Sequence, residues 1–197
     1  TLAFFISRNA KVQKAAAVKA EAKKKETGPP PVEQLLAVDT MELEVGYALV
    51  RMVDQAQGGD LLDRINMIRR QLATELGLVM PPVRIRDNMQ LQPNDYHVKI
   101  RGNTVASGQV YPGQCLAMDS GLSSEPLQGL KTKEPAFGLD AVWIEEGQKQ
   151  RAESLNYTVV DSVSVLATHL TEIVKNHAHE LLTREETNNL ITQLKTK

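Results

Sequence analysis

The sequence predicts a fold of the α/β (α+β) class, in which a mixed sheet plus helices forms a first subdomain. Within 41–45, apolar residues alternate with acidic ones, as is typical of a half-buried strand. From Leu61 onward, apolar residues recur at spacings of four, three, four and four, which indicates one face of an amphipathic helix. Two further alternating segments flank Gly102-Asn103, a pair typical of a hairpin turn. Later in the chain we expect a small inserted α/β subdomain and the start of a helical subdomain.

The composition is that of an ordinary globular protein. The chain has 197 residues, 42% of them apolar and 24% charged, which suffices for one domain or two small ones. The net charge of −1 argues against a strongly basic nucleic-acid binder. Aromatic residues make up only 4%, so aliphatic side chains must dominate the core. Cys115 is the only cysteine, which excludes an internal disulfide and suits a reducing compartment.

Residues 1–6 are apolar and are followed by Arg8 and several lysines with few acids. This order is typical of a transmembrane helix leaving the bilayer on the cytoplasmic side. The apolar piece is far shorter than the roughly 20 residues of a span, so we expect the tail of a span within a longer protein. A helix start, a tag scar or a signal remnant is the alternative. Residues 9–26, rich in Ala, Lys and Glu, predict a tether that ends near Gly28 and the prolines after it.

The first subdomain is predicted as β-α-β-β-β, one sheet with a helix on one face. Asp60 is the expected N-cap of the helix that begins at Leu61. Gly77 is its expected C′ residue, and Pro81-Pro82 prevents its continuation. The predicted strands are 41–45, 83–86, 96–101 and 104–110.

Residues 111–135 are rich in Gly, Ser and Pro, and only 115–118 among them predict a strand. A strand at 141–144, a charged helix at 146–155 and a strand at 158–160 complete the predicted inserted subdomain.

Asp161 is predicted to cap a long helix. The apolar stripe expected on that helix is Val163, Leu166, Leu170, Ile173, Val174 and Leu181. Thr183 and Glu186 form a capping box for one more helix. The apolar residues of that last helix are Leu190, Ile191 and Leu194.

The residue pattern predicts neither catalysis nor a cofactor or metal site. The spacing of His169, His177 and His179 does not place three ligands on one helix face, so we expect polar groups at the helix surface or an interface. Cys115 has no evident basic partner and is expected to be a small buried hydrophobe. Gly58-Gly59-Asp60 lacks a phosphate-binding pattern and predicts a plain turn. We therefore predict that the chain is not an enzyme.

Four basic residues lie on the predicted strands of the first sheet, and they make an RNA-binding sheet module the alternative function from another class. They are Arg84, Arg86, Lys99 and Arg101. Stacking aromatic residues do not alternate with them, so a solvated sheet face is the better interpretation.

Phe137 lies in a loop between Pro135 and Gly138 and is one of three phenylalanines in the chain. Two interpretations of it stay open: a plug for the core of the small subdomain, or an exposed anchor for a protein partner. Thr168 lies about 140° around its helix from Val163, off the apolar stripe, so we expect it to face solvent or a neighbour.

Several segments, taken together, resemble the flagellar type III export gate family, and the resemblance covers about residues 38–195. They are LEVGY (43–47), LLDRI (61–65), PPVRIRDN (81–88), PAFGLDAVWI (135–144), YTVVD (157–161) and VLATHL (165–170). The gate proteins of injectisomes, the virulence type III secretion systems, are the close alternative.

The resemblance implies an inner-membrane protein whose N-terminal half spans the membrane and whose C-terminal half, including this segment, lies on the cytoplasmic side. That half would be a docking platform without catalytic activity or cofactor, which binds export chaperones with their late substrates and hands substrates to the membrane channel. Further implied partners are other export-gate membrane proteins, the export ATPase complex, and copies of itself in a ring that is nonameric in the family. Nucleic acid is not among them.

The resemblance also implies a division of the chain and a binding site. Residues 1–37 would be the end of the last transmembrane helix and a flexible linker, although the family's tryptophan-containing linker motif is not recognisable here. The implied subdomains are 38–112 with 162–181, the insertion 113–161, and 182–197 as the start of a third. The implied chaperone site consists of Glu134, Phe137 and Thr168. Flagellar members often have aspartate at the first of these places, so the glutamate keeps the charge with a longer reach.

Overall fold

The computed structural model describes residues 39–75, 77–182, 187–188 and 191–192, and these build two four-stranded sheets with helices. The strands are β1 Met41–Val45, β2 Val83–Asp87, β3 Asp95–Ile100, β4 Asn103–Gln109, β5 Gln114–Asp119, β6 Leu130–Lys133, β7 Asp140–Glu145 and β8 Tyr157–Asp161. The helices are α1 Val50–Val53, α2 Leu61–Glu75, α3 Lys149–Ser154, α4 Ser162–Asn176 and α5 Ala178–Leu181. The predicted α+β class is confirmed. The predicted membrane-proximal segment and tether, residues 1–37, lie outside the described residues.

The first sheet is mixed and has the order β2-β1-β3-β4. β1 pairs in parallel with β2 and antiparallel with β3, which in turn pairs antiparallel with β4. The apolar residues of β1 are buried, and Glu42 and Glu44 lie on the half-exposed face, as the alternation predicts. The hairpin turn is Arg101-Gly102, one residue earlier than predicted. Both have positive φ, 49° and 81°, as a two-residue type I′ turn requires.

Helix α2 packs against the first sheet through the predicted stripe of apolar residues. Leu61, Ile65, Ile68 and Leu72 are buried, whereas Leu76 is outside the described residues. Gly77 has φ of 63°, the left-handed conformation expected at a C′ position.

The second sheet is antiparallel throughout and has the order β6-β7-β5-β8. Its edge strand β6 was not predicted, because the segment 111–135 showed only one strand pattern. The four residues of β6 are mostly exposed and lack an apolar alternation. Pairing with β7, where Leu130 opposes Trp143, makes this segment a strand.

Helix α4 begins where predicted, with the Asp161 carboxylate accepting the Ser164 N–H at 2.8 Å. It is shorter than predicted: it ends at Asn176, and the separate α5 carries the buried Leu181. The predicted stripe is wrong at Val163, which is only partly buried, since Val165 takes the core position instead. The predicted last helix lies mostly outside the described residues. The parts of it that are described, 187–188 and 191–192, are helical.

The main core joins residues of both sheets. It contains the buried apolar residues of β1, β3, α2 and α4 together with Leu116 of β5 and Trp143 of β7. A smaller cluster behind the second sheet contains Cys115, Ile144 and Tyr157. Cys115 is thus buried, as predicted, and burial raises the pKa of its thiol. The division into subdomains stays a prediction.

Among the described residues, no helix combines the length and apolarity that a membrane span needs.

Candidate functional site

The loop between β6 and β7 is closed by the side chain and the backbone of Glu134. Its carboxylate accepts the Ala136 N–H at 2.9 Å through Oε1 and the Phe137 N–H at 2.6 Å through Oε2. Its backbone oxygen accepts the Gly138 N–H at 2.9 Å, and its N–H donates to the Leu139 oxygen at 2.8 Å. Gly138 adopts φ of 72°, which glycine tolerates without steric cost. These bonds fix the loop's shape.

Phe137 projects from this loop with 62% of its surface exposed. Of the two interpretations left open by the sequence, the core plug is wrong and the exposed position is correct. An exposed phenylalanine on a hydrogen-bonded loop is available for contact with another molecule.

Phe137 forms one wall of a pocket of about 280 Å³. The other walls come from the ends of β5 and β8 and from α4. The pocket is lined by Met118, Asp119, Ser120, Glu134, Phe137, Leu139, Thr158, Val160, Val165 and Thr168. Five of the ten lining residues are apolar, Met118, Phe137, Leu139, Val160 and Val165, so the pocket is suited to an apolar group.

The structure brings Glu134, Phe137 and Thr168 together in this one pocket. Thr168 is exposed on α4, as predicted from its position off the apolar stripe. Glu134 differs from expectation in its burial, because only 3% of its surface is exposed. The remaining lining residues were not predicted from the sequence. The alternating Thr158 and Val160 of β8 were the available signal for two of them, and no local signal marked Asp119.

Behind the pocket lies a buried polar pair, Tyr96 and His169. The tyrosine hydroxyl and the imidazole Nδ1 are 2.6 Å apart, and the two rings meet edge to face with centroids 5.8 Å apart. Burial lowers the pKa of His169, and the charge of Glu134 opposes that shift. Burial, followed by the charge of Glu134, raises the pKa of Tyr96. The neutral forms of both side chains are therefore favoured.

The surface position expected for His169 is wrong: only 8% of it is exposed. It follows Val165 by four residues and precedes Ile173 by four, so it lies on the buried face of α4. A stripe that begins at Val165 instead of Val163 predicts this burial from the sequence.

The remaining histidines on this part of the chain do not make a metal site. His177 Nδ1 is 2.8 Å from Glu180 Oε1, and this bond lowers the pKa of the glutamate. Across the described part of the chain, no three His, Cys, Asp or Glu side chains are grouped as metal ligands.

The basic face of the first sheet is neutralised by carboxylates on the neighbouring strand and at residue 39. Arg86 pairs with Asp39 at 2.9 Å and with Glu42 at 2.7 Å. Lys99 pairs with Glu44, and this contact is the main cause of the lowered pKa of Glu44. Alternating opposite charges across strands make a solvated face rather than a track for phosphates.

Known proteins resemble this chain in two ways, some in sequence and others in fold. Curated flagellar biosynthesis proteins FlhA align with most of the chain: 56% identity over 167 residues for Bacillus subtilis and 45% over 156 residues for Escherichia coli. The alignments cover 85% and 79% of this chain but only 25% and 22% of those proteins, so the chain spans about a quarter of their length.

Solved structures with the same fold include the Chlamydia pneumoniae CdsV protein, with a TM-score of 0.69 at 20% identity over 82% of this chain and 49% of that one. The nonameric EPEC SctV-C gives a TM-score of 0.55 at 12% identity over 86% of this chain and 48% of that one. The FHIPEP family matches residues 1–197. The whole sequence thus fits one family, and the chain belongs to the FHIPEP family.

Proposed function

We propose that this chain is a cytoplasmic docking segment of the flagellar type III export gate, and that the pocket of Phe137 binds export chaperone–substrate complexes. The observation that carries the proposal is the exposed Phe137, held by a hydrogen-bonded loop at the mouth of an apolar pocket. Glu134 and Thr168 belong to the same pocket.

Covering the exposed ring of Phe137 with a partner removes apolar surface from water and so stabilises the complex. Burying a phenylalanine side chain that is otherwise exposed contributes about 1.5–3 kcal/mol. The hydrogen bonds of the loop are already made in the free protein, so little conformational entropy is lost when a partner covers the ring. Phe137 therefore has the properties of a binding hot spot.

The location and the assembly of the complete protein are proposed from its similarity to known export gate proteins. The complete protein would sit in the inner membrane, with this segment on the cytoplasmic side as part of a homo-oligomeric ring. It would hand substrates to the channel and contact other gate proteins and the export ATPase complex. Nonameric rings are named for SctV-C and EscV, and CdsV has been solved with CdsO. Within the segment, 38–112 with 162–181 and the insertion 113–161 would be two subdomains, and 182–197 would begin a third.

Flagellar rather than injectisome use is supported by the degree of identity. The FlhA relatives reach 42–56% identity, whereas the CdsV structure shares 20%. The paired charges on the first sheet give no support to the RNA-binding alternative.

The test is a titration of the full cytoplasmic region with a flagellar chaperone–substrate complex, followed by calorimetry. Phe137→Ala is expected to weaken binding by about 1–4 kcal/mol while leaving the thermal midpoint unchanged. Met89→Ala is the matched control, because Met89 is 79% exposed and does not line the pocket. Equal affinities of the Phe137→Ala and Met89→Ala variants would overturn the proposed site.

A further inference from the structure

We infer that a second binding site lies beside the start of β5, and that it holds an extended, uncharged polypeptide segment by hydrogen bonds to the backbone of that segment. The site is a groove of about 390 Å³, and the lining side chains that can form hydrogen bonds are those of Tyr111, Gln114, Gln128, Trp143, Glu145 and Gln148. This glutamine groove and the Phe137 pocket lie at opposite ends of β5, since Gln114 begins that strand and Asp119 ends it. In the export gate proposed above, the segment would be an unfolded stretch of an export substrate, and only that identification rests on the proposed function.

The side chain of Trp143 supplies the observation that points to a ligand. Only 3% of the residue is exposed, and its ring meets Tyr111 edge to face with centroids 5.4 Å apart. Within the described part of the chain, every fully enclosed polar side-chain atom has a hydrogen-bond partner, whereas the indole N–H of Trp143 has none. This N–H is therefore not fully enclosed, and Trp143 lines the groove. A donor on so deeply buried a side chain is expected to bond an acceptor that enters the groove.

The side chains around the indole can bond both the C=O and the N–H of a peptide group. Four of them form no hydrogen bond of their own within the described protein: the amides of Gln114, Gln128 and Gln148, and the hydroxyl of Tyr111. A carboxamide both donates and accepts, so it matches a peptide group in either direction. Gly129 packs so closely on the Trp143 oxygen that a side chain there would overlap it. This contact keeps the neighbouring Gln128 beside β7.

The charge and burial of the lining argue against other classes of ligand. Glu145 is the one carboxylate among the described residues that line the groove, and no Lys or Arg is among them. An acidic segment would be repelled, and a single exposed carboxylate attracts a basic one only weakly. A sugar or a base would need an open aromatic face for stacking, and Trp143 is too deeply buried to offer one.

The need for free backbone groups selects an extended segment. In a folded helix or sheet nearly all backbone N–H and C=O groups are already paired with each other. An extended chain presents them unpaired, and main-chain hydrogen bonds then provide affinity with little dependence on sequence. The glutamine groove therefore suits an unfolded stretch of polypeptide better than the surface of a folded partner.

The first arm of the test follows the indole N–H itself in the isotope-labelled 197-residue chain. Trp143 is the only tryptophan, so its indole gives a single resonance. The probe is a peptide of about 12 Gly, Ser, Asn and Gln residues, acetylated and amidated so that it is uncharged and unfolded. We expect the resonance to move downfield and to saturate as peptide is added, because the N–H gains an acceptor. A resonance that does not move at millimolar peptide would overturn the inference.

Two further probes distinguish the class of ligand. A matched peptide with Asp and Glu in place of Asn and Gln, and another with Lys in those places, are each expected to bind more weakly than the uncharged peptide or equally well. Tighter binding of either would show that charge selects the ligand and would overturn the inference. So would a shift caused by a neutral oligosaccharide and not by the peptide, which would assign the groove to carbohydrate.

The second arm replaces two exposed groove residues, in the double variant Gln128→Ala with Gln148→Ala. The loss of two hydrogen-bonding side chains is expected to weaken peptide binding about tenfold. Because both side chains are exposed, the thermal midpoint should stay unchanged. Gln90→Ala is the matched control, since Gln90 is exposed and lies outside the groove. Equal affinities of the double variant and the control would overturn the inference, and the first arm needs no variant at all.

Failure of this inference and failure of the proposed function are distinguishable. Phe137→Ala is expected to weaken chaperone docking and to leave binding of the uncharged peptide unchanged, because the two sites lie at opposite ends of β5. If Phe137→Ala leaves docking unchanged while the indole resonance still responds to the peptide, the docking proposal is wrong and the groove stands. If docking depends on Phe137 and the indole resonance is unmoved, the groove is wrong and docking stands.

Discussion

At residue scale, the imidazole of His169 lies on the buried side of α4, with its Nδ1 2.6 Å from the Tyr96 hydroxyl. A buried imidazole is costly to charge, so burial lowers the pKa of His169 below its ordinary value of 6.5. Glu134, which closes the Phe137 loop, acts on the same group in the opposite sense. Residues that are distant in sequence therefore meet behind the pocket.

This pair makes stability depend on pH. Since the folded-state pKa of His169 is lowered, the unfolded state binds more protons as the pH falls below about 6.5. We expect the free energy of unfolding to decrease between pH 7 and 5, and to decrease less in His169→Gln, which keeps an acceptor for Tyr96. Guanidinium titrations at several pH values provide the measurement. Parallel pH profiles of the two proteins would contradict the assignment.

Some features of single residues could be predicted from the sequence. Exposure of Thr168 followed from helical periodicity, since its position depends only on local geometry. The burial of Glu134 could not follow from periodicity, because its hydrogen bonds depend on how a Pro/Gly-flanked loop folds back on itself. Whether Phe137 is buried in the core or exposed likewise depends on tertiary structure, which local sequence does not determine.

At element scale, Gly108 of β4 lies opposite Tyr96 of β3 in an antiparallel pair of strands. A Cβ placed on Gly108 would lie 2.4 Å from the Tyr96 hydroxyl oxygen. The ring is fully buried and its hydroxyl is bonded to His169, so it has no free direction in which to move. Tyr96 fits in this position because residue 108 has no side chain.

We therefore expect Gly108→Ala to destabilise the protein by about 1–3 kcal/mol through overpacking. Gly147→Ala is the matched control, since a Cβ there meets nothing within 4 Å and its φ is not positive. Thermal unfolding of both variants measures the difference. Equal midpoints would mean that the β3–β4 pair can shift at little cost.

Helices and strands with a periodic apolar pattern could be predicted from the sequence. A strand that forms only because it pairs with a neighbouring strand could not. β1 and α2 carry periodic apolar residues that bury one face each. β6 has four mostly exposed residues, and it is a strand because β7 offers unpaired backbone groups beside it. The break at His177 also escaped prediction, since the apolar pattern continues to the buried Leu181.

At the scale of the whole molecule, the two sheets share one main core. Leu116 of β5 is fully buried in the same cluster as Val98 of β3 and Leu166 of α4. A core that crosses both sheets couples their unfolding, because losing contacts on one side removes packing from the other. The sequence predicted two sheet-containing parts, but strand patterns alone do not show which buried faces meet.

Leu116→Ala is consequently expected to lower stability by about 2–5 kcal/mol, as large-to-small changes do in cores. The loss should appear equally in the fluorescence of Trp143, the only tryptophan, and in hydrogen exchange of β3 amides in the first sheet. Leu122→Ala, at a 73% exposed position, should change neither signal. Faster exchange confined to the second sheet would show that the halves unfold independently.

The outer strands β2 and β6 have a consequence for self-association. Each ends its sheet and presents unpaired backbone groups, the usual template for aggregation between copies. β2 carries Arg84 and Arg86, and β6 carries Lys131 and Lys133. Charged side chains on an edge strand, even where they pair with carboxylates of the same chain, discourage one copy from adding its strand to another. Where many copies crowd together, these strands favour contacts through folded surfaces over fibrous assembly.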